Sequence, residues 1–297
     1  FRDRNGQYWL GTDKALFAYD PMKGTYEQKI TFECDKFNDM TSDANGNIYI
    51  SVFSRGLCIY NSKTGALKHY SSFDSKEGDD RLCNDWIMSM TTDHKGLVWM
   101  GTSSGISCYD PKSDSFLSQG WNQQLNGMMC FSICELRNGN IAIGTEQGLY
   151  LYDRQTAKVA PFPNSEELSN KLINYIVQAN DGDIWCSTSM GIWQYESDKK
   201  TFLGHINGNG LTSKEYLYGV GMHNNDDKIY FGNNDGLIVF NPSDVQTTQS
   251  ESHELLLTSF FVGGTQVNCN TVLNDVRITE KGVSESDKFT LSYLDNN

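Results

Sequence analysis

The chain has 297 residues, of which 38% are hydrophobic and 12% aromatic; that supplies a large core and excludes a disordered polymer or a disulfide-dependent miniprotein. Lys and Arg number 24 against 37 Asp and Glu, a net charge of -13, which repels phosphate backbones and anionic lipid and disfavours nucleic acid or a membrane surface as partner. The longest purely aliphatic run, Leu255 to Leu257, is far short of the roughly 20 residues of a bilayer span, so no transmembrane helix is expected within the chain. It opens on Phe1 without a basic or apolar leader; no signal peptide is expected, and the start reads as a cut in a longer chain.

Along the chain one pattern recurs six times: NGQYWLGT at 5–12, NGNIYIS at 45–51, KGLVWMGT at 95–102, NGNIAIGT at 138–145, DGDIWCST at 181–188 and DDKIYFGN at 226–233. Its small residues Gly11, Ser51, Gly101, Gly144, Ser187 and Gly232 are spaced 40, 50, 43, 43 and 45 apart. Each anchor is followed by a second run: ALFAYD from Ala15, GLCIYN from Gly56, GISCYD from Gly105, GLYLYD from Gly148, GIWQYE from Gly191 and GLIVFN from Gly236. Asn-Gly or Asp-Gly before a β-rich run predicts a type I′ hairpin turn, which needs φ > 0 at both central residues. Runs such as WIMSMTTD at 86–93 precede these turns, and short runs such as GALKHY at 65–70 follow the second modules. Four strands per copy follow.

No segment sustains an apolar period of 3.6 with caps, so the period of about 45 residues predicts an all-β chain of four-stranded units set radially, a β-propeller. The ring of Trp9, Tyr49, Trp99, Trp185 and Tyr230 is expected to wedge between blades, with Gly or Ser two positions later allowing close backbone approach. The fourth copy has Ala142 instead and is expected to pack less tightly there. The Gly-His and Trp-Asp signatures that WD repeats carry at their blade ends do not recur with the period. Sialidase-type Asp boxes place one residue between Asp and Gly, whereas Asp3 to Gly6, Asp43 to Gly46 and Asp93 to Gly96 have two.

The Asn/Asp-Gly turn, the aromatic, Gly-Thr and Gly-Leu-x-x-Tyr-Asp together resemble the two-component regulator propeller repeat. The resemblance covers residues 1–243, and the connectors Leu82-Cys83-Asn84, Leu168-Ser169-Asn170 and Leu211-Thr212-Ser213 agree with it. It implies the periplasmic sensor of a hybrid two-component system of Bacteroides type, which recognises glycan-derived oligosaccharides and controls polysaccharide-utilisation genes. Residues 244–297 look like a linker and the opening strands of a truncated Y_Y_Y-type β-sandwich, carried by ELLLTSFFVGGTQVN at 254–268 and FTLSYLDNN at 289–297. In such a sensor the sandwich leads to a transmembrane helix and a histidine kinase. The resemblance therefore implies the periplasmic portion of an inner-membrane protein, a second propeller and the Y_Y_Y-type domain as partners in the same full-length protein, and a homodimer when intact. Family propellers have seven blades, so one blade is expected upstream of the six copies, a closed six-bladed ring being the alternative.

Chemistry is sparse. The five histidines, at 69, 94, 205, 223 and 253, show no metal-ligand spacing, and no Gly-x-Ser-x-Gly elbow is present. No cofactor, metal or catalytic residue is expected. A carbohydrate-active propeller enzyme, which would need converging acid and base residues, and a protein-docking propeller are the alternatives. The eight cysteines, at 34, 58, 83, 108, 130, 134, 186 and 269, include no Cys-x-x-Cys pair and read as free thiols, mostly buried. Asp20, Asp110 and Asp153 read as turn formers. In a propeller, loops joining second to third strands meet the fourth-to-first connectors on one face, and ligand sites form there. That face is expected to carry Asp13, Lys14, Arg55, Trp86, Trp121, Glu146, Gln147, Tyr216, Asn234 and Asp235. Amides, carboxylates and Arg there suit sugar hydroxyls, and aromatics stack on C–H faces. Arg55 stands out because its loop carries one extra residue.

Overall fold

In a computed structural model, the structure describes residues 1–31, 37–73, 81–117, 123–125, 127–205, 215–245, 259–281, 283 and 288–291. The chain divides into two compact units, 1–245 and 246–297. The first is a β-propeller of six blades, each an antiparallel meander in chain order. Blade one holds β1 (Tyr8–Gly11), β2 (Ala15–Asp20) and β3 (Thr25–Thr31), and blade two holds β4 (Phe37–Ser42), β5 (Asn47–Val52), β6 (Gly56–Asn61) and β7 (Leu67–Tyr70). Blade three comprises β8 (Ile87–Thr92), β9 (Val98–Thr102), β10 (Gly105–Asp110) and β11 (Ser115–Phe116). Blade four comprises β12 (Cys130–Glu135), β13 (Ile141–Thr145), β14 (Gly148–Asp153) and β15 (Lys158–Pro161). Blade five holds β16 (Ile173–Gln178), β17 (Ile184–Thr188), β18 (Gly191–Glu196) and β19 (Thr201–His205). Blade six holds β20 (Tyr216–His223), β21 (Ile229–Asn233) and β22 (Gly236–Phe240).

Blades two to five thus have four strands, and the first and last have three among the described residues. The recurring anchor is the second strand of every blade. Before the first anchor stands the tail of a first strand: Trp9 N–H donates to the Phe1 carbonyl at 2.7 Å, and the Phe1 ammonium to the Trp9 carbonyl at 3.0 Å.

Trp9, Tyr49, Trp99 and Trp185 pack as their spacing predicts, whereas Tyr230, in the last blade, is only half-buried. Tyr49, Trp99 and Trp185 are fully buried, each in a cluster shared with the following blade. A Cβ on Gly101 would lie 2.6 Å from the Cys130 carbonyl oxygen, and one on Gly144 would lie 2.9 Å from the Ile173 carbonyl, so these glycines admit the inner strand of the next blade. Gly101→Ala should therefore cost about 1–3 kcal/mol by overpacking, read from denaturant unfolding; a loss below 0.5 would show that the blade seam yields. At the fourth copy Ala142 is fully buried among Leu149, Leu168, Ile173 and Ile176; aliphatic side chains fill the space an aromatic takes elsewhere.

The hairpin turns differ from the type I′ expectation. Gly6, Gly46, Gly96, Gly139 and Gly182 have positive φ, from +84° to +103°, while the residues before them do not. In blade three the Asp93 carbonyl accepts from Gly96 N–H at 3.0 Å and Asp93 N–H donates to the Leu97 carbonyl at 2.9 Å: a right-handed turn closed by one left-handed glycine. The cause is the aspartate at its head. Asp43 Oδ1 accepts the N–H groups of Asn45 and Asn47, at 2.9 and 3.0 Å, holding the intervening residues right-handed. Asp3 and Asp93 repeat this arrangement.

The second carboxylate oxygen reaches the wedge aromatic: Asp3 to Trp9 Nε1, Asp43 to the Tyr49 hydroxyl and Asp93 to Trp99 Nε1, at 2.8, 2.9 and 2.8 Å. In blade five Ala179 takes the aspartate's place, keeping the same backbone turn, and Trp185 Nε1 is buried without a hydrogen-bond partner among the described residues. Trp99→Phe should consequently cost about 1–2 kcal/mol more than Trp185→Phe, since only the former breaks a buried hydrogen bond. Equal losses in parallel denaturant melts would contradict this assignment.

The terminal blades each leave apolar side chains exposed: Tyr8, Leu10 and Tyr26 at 39, 44 and 68%, and Met222, Leu237 and Val239 at 51, 59 and 46%. The second unit shows, among the described residues, two short hairpins, β23 (Phe261–Val262) with β24 (Thr265–Gln266) and β25 (Val272–Leu273) with β26 (Val276–Arg277). They close on Val262, Val267 and Ile278. No described residue from 288 to 291 is in a strand, so the sandwich reading rests on the sequence.

Candidate functional site

The loops joining second to third strands do meet the interblade connectors on one face, and backbone hydrogen bonds stitch them. Gly56 N–H donates to the Asp85 carbonyl, Ser103 to Trp86, Glu146 to Met129 and Asn170 to Gln147, at 3.0 to 3.1 Å. In blades one, three, four and five a threonine at the head of the loop (Thr12, Thr102, Thr145, Thr188) accepts a loop N–H through its hydroxyl. Blade two has Val52 there, with the extra residue accommodated by a left-handed Ser54 at φ 55°. Arg55 is exposed at its tip. His69, from β7, hydrogen-bonds the Arg55 carbonyl.

The same loop presents Phe53, which sequence reasoning missed. Its ring meets Trp86 edge-on, with centroids 5.1 Å apart, and both are half-buried. Phe53 and Trp86 thus form a small aromatic platform, with the exposed Arg55 two residues along the same loop as Phe53. Glu146 is half-buried and Gln147 exposed in the blade-four loop. Asn234 and Asp235 are exposed in the blade-six loop, where the Asn234 amide donates to Glu215 at 3.3 Å. Asp13 and Lys14 are exposed in the blade-one loop. Trp121 lies outside the described residues. Tyr216 is not on the face: it is 5% exposed and packs with Val177, Trp185 and Phe231 in the seam between blades five and six. Its place at the end of β20 points its ring inward, and burial pushes its hydroxyl up to about 12.

The opposite end of the axis holds a cavity of ≈570 Å³, walled by the inner strands β4, β8, β12, β16 and β20. Asp39, Thr91 and Tyr175 line it together with Met40, Met90 and Ile176, and Glu135, Arg137, Gln178 and His223 stand at its turn-side end. Toward the loop face, Phe131 and Tyr218 from blades four and six meet across the axis, their centroids 5.7 Å apart. Desolvation pushes the Asp39 carboxyl up to about 6 against the backbone N–H bonds it accepts from Met90 and Met40.

The described histidines do not converge. His94 pairs with Glu135 and His223 with Asp227, while His205 stacks on Trp185 at 5.3 Å, where burial lowers its pKa. Among the described residues no cluster could hold a metal ion. The described cysteines are all free thiols; Cys58, Cys108, Cys130 and Cys186 are buried, and Cys269 is exposed. Burial pushes the Cys134 thiol up to about 12. No described helix is long and apolar enough to cross a membrane.

An all-β propeller with a loop-built face is what fold and geometry define. No family model matches the chain and no curated protein matches it, but solved structures share its fold. The extracellular domain described as that of hybrid two-component system BT3049 from B. thetaiotaomicron superposes with a TM-score of 0.64 at 19% identity, over 82% of this chain and 33% of that one. That of BT4673 from the same organism gives 0.64 at 18%, over 90% and 36%. PorZ of Porphyromonas gingivalis, a surface component of the type-IX secretion system, gives 0.60 at 16%, over 82% and 38%. The chain spans about a third of the length of these structures.

Proposed function

We propose that this chain is the ligand-sensing part of a periplasmic sensor ectodomain, binding glycan-derived oligosaccharides on the loop face and passing a conformational change to a membrane histidine kinase elsewhere in a hybrid two-component protein. It binds and does not transform its ligand. The observation that carries this reading is the platform of Phe53 and Trp86, with the exposed Arg55 on the same loop as Phe53, on a fold shared with two extracellular domains of such systems. Rings of this kind cover the C–H face of a pyranose while the guanidinium bonds its hydroxyls or carboxylate. Signalling then requires that ligand bind one arrangement of the ectodomain better than another, and the shift cannot exceed that difference in affinity.

Calorimetric titration with defined oligosaccharides tests this. Binding by at least one glycan, weakened tenfold or more by Trp86→Ala and by Arg55→Ala, is expected. Binding of none across a broad panel, or turnover of any, contradicts it.

A further inference from the structure

At the level where each inner strand bulges, one residue per blade faces the axis: Asp39, Ser89, Ser132 and Tyr175, paired in register with Ser51, Gly101, Gly144 and Ser187. Two of these have a plain structural task. Ser89 Oγ accepts the Ile133 N–H at 3.1 Å and Ser132 Oγ the Ile176 N–H at 3.0 Å, each bridging to the next inner strand. Asp39 Oδ2 makes the equivalent bridge, to Met90 N–H at 2.7 Å. A hydroxyl suffices for that bond in two neighbouring seams, so the carboxylate brings to the axis a negative charge that the seam does not need.

Among the described residues no side chain compensates that charge; the cation that acts on it is the terminal ammonium of Phe1, which lines the same cavity. The hydrogen-bond donors to Asp39 are the backbone N–H groups of Met40 and Met90, and none of the ion pairs among the described residues includes it. The charges at the turn-side end are occupied: Glu135 by Arg154 and His94, His223 by Asp227, and Arg137 by the Asn180 carbonyl at 2.7 Å. Tyr175, from blade five, faces the same cavity, its ring seated over Gly221, where a Cβ would come within 2.3 Å. Its hydroxyl has no hydrogen-bond partner among the described residues, nor has that of Thr91. Met40, Met90 and Ile176 supply apolar wall. A carboxylate without an ion-pair partner among the described side chains, two hydroxyls and an aliphatic wall around ≈570 Å³ fit a ligand with one positive charge on a compact body, within the usual size of small-molecule pockets.

We infer that this axial pocket binds a small organic cation, a protonated primary amine on a ring-sized body, with its ammonium on Asp39, hydrogen bonds to Tyr175 and Thr91, and its body against Met40, Met90 and Ile176. The net charge of -13 favours approach of such a ligand. The site is independent of the loop face and of what binds there.

The test titrates the full chain with cyclohexylamine and glucosamine, and in parallel with cyclohexanol and glucose, which match them in size without the charge. The amines should bind at least tenfold more tightly than their neutral counterparts. Asp39→Ser, which keeps the bridge to Met90 as Ser89 and Ser132 do, should remove that preference while circular dichroism shows an unchanged fold. Tyr175→Phe should weaken amine binding a few-fold. No binding by either amine, equal binding of amine and neutral probe, or a preference that survives Asp39→Ser overturns the assignment.

Discussion

Replacing Asp93 by Ala should destabilise the propeller by about 3–5 kcal/mol, the range for breaking a buried charge pair. The Asp93 side chain is fully buried and ties two blades together: it accepts Lys95 and Leu97 N–H in its own turn, Trp99 Nε1 in its own second strand, and the guanidinium of Arg154 from blade four. Burial alone would raise its carboxyl, but the bonds from Arg154, Trp99 and Leu97 together outweigh that and hold it below the usual 3.8. A lowered carboxylate contributes stability above its unfolded pKa and loses it as pH falls through the folded one, so this linked share of the loss should fade below pH 3.8. Asp93→Asn keeps an acceptor, as Asn224 does for the blade-six turn, and should cost less. Urea unfolding at pH 7 of the two variants checks this; a loss under 1 kcal/mol for Asp93→Ala would mean that water takes over the role of the carboxylate.

The opposite sign is expected at Asp39. Its carboxyl is raised from 3.8 to about 6 by desolvation, so between those values the folded state binds more protons than the unfolded one and stability falls as pH rises. The penalty is absent below the unfolded value and complete above the folded one. At about 1.4 kcal/mol per pKa unit, Asp39→Ser should stabilise the chain by about 2–3 kcal/mol at pH 8 and by almost nothing at pH 3.5. Stability profiles of wild type and variant across that interval should diverge upward with pH. Parallel profiles would show that the carboxylate is solvated and carries no penalty. A residue that costs stability at neutral pH, where a hydroxyl serves as well in two neighbouring blades, is consistent with retention for binding.

The blades were readable from the sequence because Gly-punctuated strand pairs repeat at one period, and because Gly11, Gly101 and Gly144 sit where a neighbouring strand leaves no room for a Cβ. The turn type was not, since Asp-Gly and Asn-Gly pairs suit both turn hands, and the deciding contact comes from Asp3, Asp43 and Asp93 at the head of the turn. The meeting of loops and connectors followed from topology, and the distinct Arg55 loop from its extra residue. Tyr216 misled because a residue at the start of an inner strand can face either the loops or the next seam. Phe53 and Asp39 went unremarked for different reasons. Phe53 lies in a loop where Val52 replaces the threonine found in blades one, three, four and five, and the inner strands, where Asp39, Ser89, Ser132 and Tyr175 are equivalent, diverge too far to share the anchor's regularity.

Hydrogen exchange of the chain with and without a bound oligosaccharide tests the central claim most directly. Protection is expected on the loop face, at residues 53–55, 86 and 146–147, with the turns at 43–47 and 93–97 unchanged. Protection confined to those turns, or none at saturating ligand, would contradict it.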